Sequence, residues 1–313
     1  MQPNQQTAII LVVGGAGFIG SHTVELLLSE GYYVRVLDNL STGKRENLPA
    51  THDRLDFILG DMTDQTLLGK ACAGVTHILH LAAQVSVIQS FANPVFSCQQ
   101  NILGFVAVLD EARKQHARLV YASSAAVYGN PEILPINENA QAMPISPYGL
   151  EKYSNELYAD LYGRMHQLSH LGMRYFNVYG PRQDPQSPYS GVISRFVAQA
   201  LAHESLTIRG DGSQERDFIH VNDVAQANVA ALLGDTLGTM NIACGKATTI
   251  LSLAKIIHQL LGVEEDIQWV PLVEGDIHRS LADNERMRRH LCQPLWSLPA
   301  GLQHLLQVMR ADC

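Results

Sequence analysis

The chain predicts an α/β protein, a doubly wound parallel sheet with a smaller α/β lobe interleaved with it. Three observations carry this. Short, continuously apolar strands alternate with helical stretches through the first half, the pattern of strands buried on both faces. A glycine-rich turn, Gly14 to Gly20, joins the first strand to the first helix. From Tyr179 onward the alternation gives way to the loop-rich Gly180-Pro181-Arg182-Gln183-Asp184-Pro185-Gln186-Ser187-Pro188 and then to shorter elements.

The elements follow in order. Ile9 to Val13 is a buried strand and Phe18 to Ser29 the next helix. Val34 to Leu37 is a second strand ending at Asp38, Phe57 to Leu59 a third and His77 to Leu81 a fourth. Val95 to Lys114 is a long helix, Leu119 to Ser123 a fifth strand, Tyr148 to His166 another long helix and Gly172 to Phe176 another strand. Helices near Val192 to Leu201, Leu253 to Leu261 and Leu302 to Val308 belong to the smaller lobe. Phe218 to Leu233 is expected to return to the main sheet. Residues 1–176, with about 216–240 returning, then form a Rossmann domain, and residues 177–215 and 241–313 a substrate-binding lobe.

The 313 residues are enough for a large domain plus a lobe, and the formal net charge is −8. With no long basic run, neither nucleic acid nor an anionic membrane surface is expected as a partner. No apolar stretch reaches membrane-spanning length, and the start Met1-Gln2-Pro3-Asn4 lacks the basic opening of a secretory signal. Five scattered cysteines without CxxC fit reduced thiols in the cytoplasm. His77 with His80, and His166 with His170, have metal-like spacing, but structural histidines explain them and no metal is expected.

Gly14, Gly17 and Gly20 form G-x-x-G-x-x-G after a strand and at the start of a helix. Such a turn lets backbone N–H groups approach a pyrophosphate at the helix N-terminus. Asp38, at the end of the second strand, can bind both ribose hydroxyls and repels a 2′-phosphate, which predicts NAD rather than NADP. Lys44 and Arg45 lie beyond it and read as a solvated loop face. Asp61 can bond an adenine amino group or, equally well, cap a helix starting near Thr63.

Tyr148 and Lys152 are four apart, hence on one helix face. A free phenol has a pKa near ~10. The neighbouring ammonium and a cationic nicotinamide would favour the phenolate that a base needs. Ser124 ends a strand and can donate to a developing oxyanion.

These residues stand in a wider pattern. Asp38-Asn39-Leu40-Ser41-Thr42-Gly43, Ser123-Ser124-Ala125-Ala126-Val127-Tyr128-Gly129 and Ser146-Pro147-Tyr148-Gly149-Leu150-Glu151-Lys152 follow the glycine turn. Arg174-Tyr175-Phe176-Asn177-Val178-Tyr179-Gly180, Gly210-Asp211-Gly212 through Arg216-Asp217-Phe218-Ile219, and Gly275-Asp276 come after. In this order they span nearly the whole chain. The chain resembles the extended short-chain dehydrogenase/reductases, and within them the nucleotide-sugar 4-epimerases of the UDP-galactose 4-epimerase type.

The resemblance implies a transient oxidation. Tyr148 removes the proton of a sugar 4-hydroxyl while NAD takes the C4 hydride. The 4-keto sugar rotates, and the hydride returns to the other face. Ser124, Tyr148 and Lys152 are the catalytic set. Gly14, Gly17, Phe18, Ile19, Asp38, Asn39, Asp61 and Met62 are expected around NAD, with Leu81, Ala82, Ala83 and Tyr175, and with Tyr148 and Lys152 near the nicotinamide. The family's 4,6-dehydratases carry acids after the active-site hydroxyl residue; Ala125 and Ala126 occupy those places, which argues against dehydration.

On the substrate side the resemblance gives Asn177 to the sugar nucleotide, Arg216 to the diphosphate and Asp276 to the nucleotide ribose. Arg216 read without it is a surface ion pair with Glu215 or Asp217. Arg209 stands where the family stacks Phe or Tyr on the base, and Val273 where many relatives have an arginine. Arg279, or His278, is the candidate to replace that phosphate contact. Ser280 is small where relatives restricted to plain hexoses are bulky, leaving room for an acetamido group; read blandly it is a loop serine. Ser86 is a further candidate for the sugar pocket. The long helices pair two copies into a homodimer in this family, although burial against their own sheet explains their apolar positions equally well. UDP-hexose 4-epimerisation, extending to UDP-GlcNAc/UDP-GalNAc, leads. A nucleotide-sugar 4-ketoreductase and a non-enzymatic NAD-binding sensor remain alternatives.

Overall fold

The computed structural model describes residues 8–185, 191–272 and 278–311. Its centre is a seven-stranded, all-parallel sheet. In chain order the first elements are β1 (Ile9–Val13), α1 (Phe18–Ser29), β2 (Tyr33–Asp38), β3 (Leu55–Leu59), α2 (Gln65–Cys72) and β4 (His77–His80). Then come α3 (Val87–Ala92), α4 (Pro94–Cys98), α5 (Gly104–Gln115), β5 (Arg118–Ser124), α6 (Pro147–His166) and β6 (His170–Tyr175). The smaller lobe begins with β7 (Asn177–Tyr179), α7 (Val192–Leu201), β8 (Leu206–Arg209) and β9 (Glu215–His220). The chain ends with α8 (Val221–Leu233), β10 (Gly238–Ile242), β11 (Ala247–Thr249), α9 (Ile250–Leu261), β12 (Ile267–Val270), α10 (Glu285–His290) and α11 (Leu298–Ala311).

The main sheet runs β10-β6-β5-β4-β1-β2-β3. The strand order reverses at β1, so a crevice opens at the carboxyl ends of β1 and β4, where open α/β sheets bind ligands. Ile10, Leu11, Val12 and Val13 of β1 are all fully buried because helices cover both faces. One core packs α1 and α8 side chains such as Val24, Leu27 and Leu232 on β1 and β2; the other packs Phe105, Val108 and Leu109 of α5 against Leu11, Ile78 and Tyr121. Burying each such side chain contributes about 1.5–3 kcal/mol. A separate core, built on Phe196, Ile208, Leu253 and Leu305, holds the smaller lobe.

The structure departs from the sequence reading at three places. The expected return near 216–240 divides: β9 pairs with β7 and β11 in a three-stranded sheet, whereas α8 packs on α1 and β10 joins β6 as the seventh strand. The long helix expected from Val95 is α4 and α5 joined through a π turn at Gln99–Leu103. A helix does follow Asp61, but it starts at Gln65 and its cap is Asp64, which accepts from the Thr66 and Leu67 N–H groups. The cap reading of Asp61 is thereby removed.

Candidate active site

The glycine turn is shaped by close approach. Gly14 has φ +86°, and a Cβ there would lie 2.6 Å from the Ala82 nitrogen, so β1 and the chain after β4 meet backbone to backbone. Leu81 and Ala82 both donate to the Val13 carbonyl, at 2.8 and 3.0 Å. At Gly20 a Cβ would run into the Gly14 carbonyl oxygen, so α1 packs directly on the turn. Gly17 differs: a Cβ there would meet only the Gly14 oxygen, at 3.3 Å. Gly17 is also the N-cap of α1, and no side chain caps it. The helix therefore presents open N–H groups beside a glycine, the arrangement a pyrophosphate uses. Phe18 and Ile19, half-buried, form its first turn.

Asp38 is held at the end of β2 by two backbone donors, Ala16 N–H to Oδ2 at 2.9 Å and Leu40 N–H to Oδ1 at 2.8 Å. Arg45 is not a solvated cation. It lies 5.0 Å over the Phe57 ring and donates to the carbonyls of Leu48, Pro49 and Ala50, so it is committed away from any 2′-phosphate. Asn39 donates to Asp61 at 2.7 Å, and Thr63 donates twice to the same carboxylate. Burial disfavours the Asp61 charge, but these bonds outweigh it and the pKa falls. Met62 is buried beneath Gly104. Tyr175 donates its hydroxyl to Asn228 Oδ1 at 2.7 Å. The open helix end, the held carboxylate and the bare Gly17 together fit an NAD dinucleotide.

The catalytic candidates converge at the end of β5. Ser146 caps α6, accepting from the Gly149 N–H at 3.1 Å, and so starts the helix at Pro147 with Tyr148 in its first turn. Ser90 steadies the Tyr148 N–H from α3, at 3.2 Å. The Ser124 hydroxyl favours the ionised Tyr148 phenol and accepts from Ala126 N–H at 3.1 Å. Lys152, 2% exposed, donates to the Ala122 carbonyl at 2.9 Å, and its Nζ lies 5.8 Å from the centre of the Tyr148 ring.

The expected effect of Lys152 on the phenol does not hold in the protein alone. Burial pushes Tyr148 up to about 12, with Glu151 adding to the rise and Ser124 opposing it. Lys152 is anchored on Ala122 rather than on the phenolic oxygen. Its own pKa is drawn down to about 8, by burial first.

Sequence reasoning missed the frame around this set. Glu151, 4% exposed, accepts from Ser97 at 2.8 Å and Asn101 at 2.6 Å. Asn101 sits in the π turn and also brackets the backbone of Gln84, accepting from its N–H and donating to its carbonyl, both at 2.8 Å. Glu156 accepts from Ser123 at 2.6 Å and from both Nε and Nη2 of Arg174, at 2.8 and 2.7 Å. Tyr128 continues the network from Arg174 to Asn241. Glu151 and Glu156 lie on the inward face of α6 with Lys152, so helical periodicity was the available signal; the π turn at Asn101 has none.

Of the substrate-side candidates, Asn177, Arg216, Arg279 and Ser280 lie on or against β9 and its neighbour β7. Asn177 donates to the Asp217 carbonyl at 2.9 Å. Arg216 donates to the Glu215 carbonyl at 3.0 Å and reaches that of His278 at 3.5 Å. The Glu215 carboxylate instead pairs with Arg279, at 2.6 Å, so Arg279 is engaged there. Ser280, 9% exposed, is bonded through its N–H to the Glu215 carbonyl. Arg209 is exposed at the end of β8. Ser86 spends its oxygen on capping α3, accepting from Gln89 N–H at 2.9 Å. Val273 and Asp276 lie outside the described residues.

A glycine turn, a strand-end aspartate and a Ser/Tyr/Lys set at the switch point of a parallel sheet define a dinucleotide-dependent enzyme of Rossmann type. The chain belongs to the NAD dependent epimerase/dehydratase family, which matches residues 10–243. It is 36% identical over 309 residues to the UDP-glucose 4-epimerase of Mycolicibacterium smegmatis, covering 96% of this chain and 98% of that one. A solved UDP-N-acetylglucosamine 4-epimerase from Methanobrevibacter ruminantium, in complex with UDP-N-acetylmuramic acid, superposes with a TM-score of 0.95 at 36% identity, covering 98% and 99% of the two chains. A Thermus thermophilus UDP-glucose 4-epimerase in complex with NAD gives 0.90 at 35% identity, covering 97% and 100%.

Proposed function

We infer that this protein is an NAD-dependent UDP-hexose 4-epimerase, interconverting UDP-glucose with UDP-galactose and accepting the N-acetylated pair UDP-GlcNAc and UDP-GalNAc. The observation that carries the reading is the buried Tyr148 with Lys152 Nζ 5.8 Å over its ring and Ser124 at the end of β5 opposing the rise of its pKa, with alanines at 125 and 126.

Bound on the glycine turn, NAD supplies a hydride acceptor at the sugar C4 and a positive ring charge. The chain does the rest. With that positive charge beside it, Tyr148 would act as the phenolate, its oxygen taking the 4-hydroxyl proton and returning it. Ser124 donates to the sugar oxygen as charge develops there. Lys152 bonds the nicotinamide ribose and sets the local charge. Asn177 and Arg216 bind the nucleotide diphosphate, Arg216 through its planar fork. Asp38 selects the unphosphorylated ribose. Gly14, Gly17, Phe18, Ile19, Asn39, Asp61, Met62, Leu81, Ala82, Ala83 and Tyr175 complete the cofactor cradle. Arg209 stacks on the base, Asp276 binds its ribose, and Ser86 and Ser280 border the sugar, Ser280 leaving space for an acetamido group.

We assign the main sheet, including α8 and β10, to the cofactor and the intervening segments to the substrate. The working unit is a homodimer. Leu150, Leu157, Leu161 and Met165 make an exposed apolar stripe on α6, next to Val95, Phe96 and Leu103, and two copies bury these faces against each other. The described cysteines are free thiols and no described helix is long and apolar enough to cross a membrane; we place the enzyme in the cytoplasm.

Deuterium at C4 of UDP-galactose tests the chemistry. An epimerase with retained cofactor returns the label to C4 of UDP-glucose with no nucleotide added. Dependence on added NADH with net reduction would replace this reading with a ketoreductase.

A further inference from the structure

We propose that Asp217 is a positioning residue that assembles the nucleotide-diphosphate wall, clamping β9, the turn at 244–246 and the segment 278–283 onto one buried carboxylate. The proposal rests on the reading of Asn177, Arg216 and Ser280 as substrate contacts.

Asp217 is fully buried. Its Oδ1 accepts from Cys244 N–H at 2.9 Å, its Oδ2 from Ala282 N–H at 3.2 Å, and Gly245 N–H reaches both oxygens, at 3.2 and 3.0 Å. Among the described residues these partners are backbone groups, not cations. Each donor belongs to a segment distant in sequence. The Asp217 carbonyl holds the Asn177 amide, and its neighbour Arg216 reaches toward the wall's other edge at His278. Ala282 lies two residues after Ser280, whose N–H is bonded to the Glu215 carbonyl. One residue thus joins the pieces: its carbonyl holds Asn177, and its carboxylate holds the turn at 244–246 and the segment that carries Ser280 against the strand that carries Arg216.

The local geometry shows how tight the clamp is. Gly245 has φ +74°, and a Cβ there would lie 2.9 Å from the Asn284 oxygen. Asn284 in turn donates to the Ala243 carbonyl at 3.0 Å. The turn at 244–246 and the segment carrying Ser280 are therefore fastened to each other at both ends. Burial pushes the Asp217 carboxyl up to about 6, against the N–H bonds from Ala282, Cys244 and Gly245 that pull it down. A buried charge that burial disfavours adds little to folding, so its use is in fixing the wall's geometry.

Asp217→Asn keeps the shape but replaces one acceptor oxygen with a donor. The expected result is a tenfold or greater rise in KM for UDP-galactose, a change in kcat below threefold, and unchanged NAD content of the purified holoenzyme. An unchanged KM, or loss of NAD in parallel with the rise in KM, would overturn the proposal. Arg216→Ala separates it from the parent reading: if that variant leaves KM unchanged, the wall itself is misassigned. Should Asp217→Asn fail to fold, amide hydrogen exchange on the native holoenzyme decides. UDP is expected to slow exchange at Cys244, Gly245 and Ala282 together; protection near Arg216 without protection at those three amides contradicts the clamp.

Discussion

The cofactor half and the substrate half are built by different means. Around Gly14, Gly17 and Gly20 the geometry is local: a strand, a turn and a helix within a dozen residues, shaped by where a Cβ cannot go. Around Arg216 the geometry is assembled from pieces tens of residues apart, tied by side chains onto backbone groups. Local construction makes a site rigid before ligand arrives. Assembled construction lets one piece change without the others.

The sharpest way to break this contrast is at the junction of the halves. Tyr148→Phe removes the proton acceptor and should lower kcat roughly 10³-fold, with bound NAD, measured after denaturing release, unchanged. Survival of activity would move the base elsewhere. Next in size, Glu156→Gln leaves the Arg174 charge buried and poorly paired, which should cost about 3–5 kcal/mol in urea unfolding. A small effect would mean that the strut linking α6 to β5 and β6 is dispensable.

Acid should distinguish the two halves next. His80, behind the catalytic set, and His220, under the smaller lobe, are each pulled down to about 3, by burial first. Their folded pKa values lie below the unfolded value, so the unfolded chain binds more protons between the two. Their contribution is complete above about pH 6.5 and is lost as pH falls, by about 2 kcal/mol per histidine from pH 7 to pH 5. Asp217 runs the other way. Its raised pKa makes the folded state bind more protons between about 4 and 6, so its own share of stability declines as pH rises through that window. Unfolding at both pH values should give a flatter slope in His80→Asn; an unaltered slope would show that His80 is not the group being titrated.

The smallest effect sharpens the glycine comparison. Gly17→Ala should weaken NAD retention about tenfold, or ~1.4 kcal/mol, with little change in stability, because its methyl would meet only the Gly14 oxygen, at 3.3 Å. Gly20→Ala should instead destabilise the fold. Equal behaviour of the two would erase the distinction between a binding glycine and a packing glycine.

Legibility in the sequence follows the same division. The strands β1 to β6, the glycine turn, Asp38 and Tyr148 with Lys152 were readable because strand burial, tight turns and helical spacing leave local marks. The placement of β9 was not, since its apolar pattern fits either sheet and pairing with β7 and β11 decides it. Nor was the raised Tyr148 pKa: spacing puts Lys152 on the right helix face, but its ammonium is bonded to the Ala122 carbonyl, a backbone partner that no side-chain spacing marks. Asp217 could be read only as an ion-pair candidate for Arg216, because its partners are backbone N–H groups that carry no sequence signature.

The most direct test of the account is an NMR time course of the purified protein with UDP-galactose and, separately, UDP-N-acetylgalactosamine, with no cofactor added. The account predicts that the gluco epimer appears in both reactions. No conversion of either sugar, even after NAD is supplied, would contradict it.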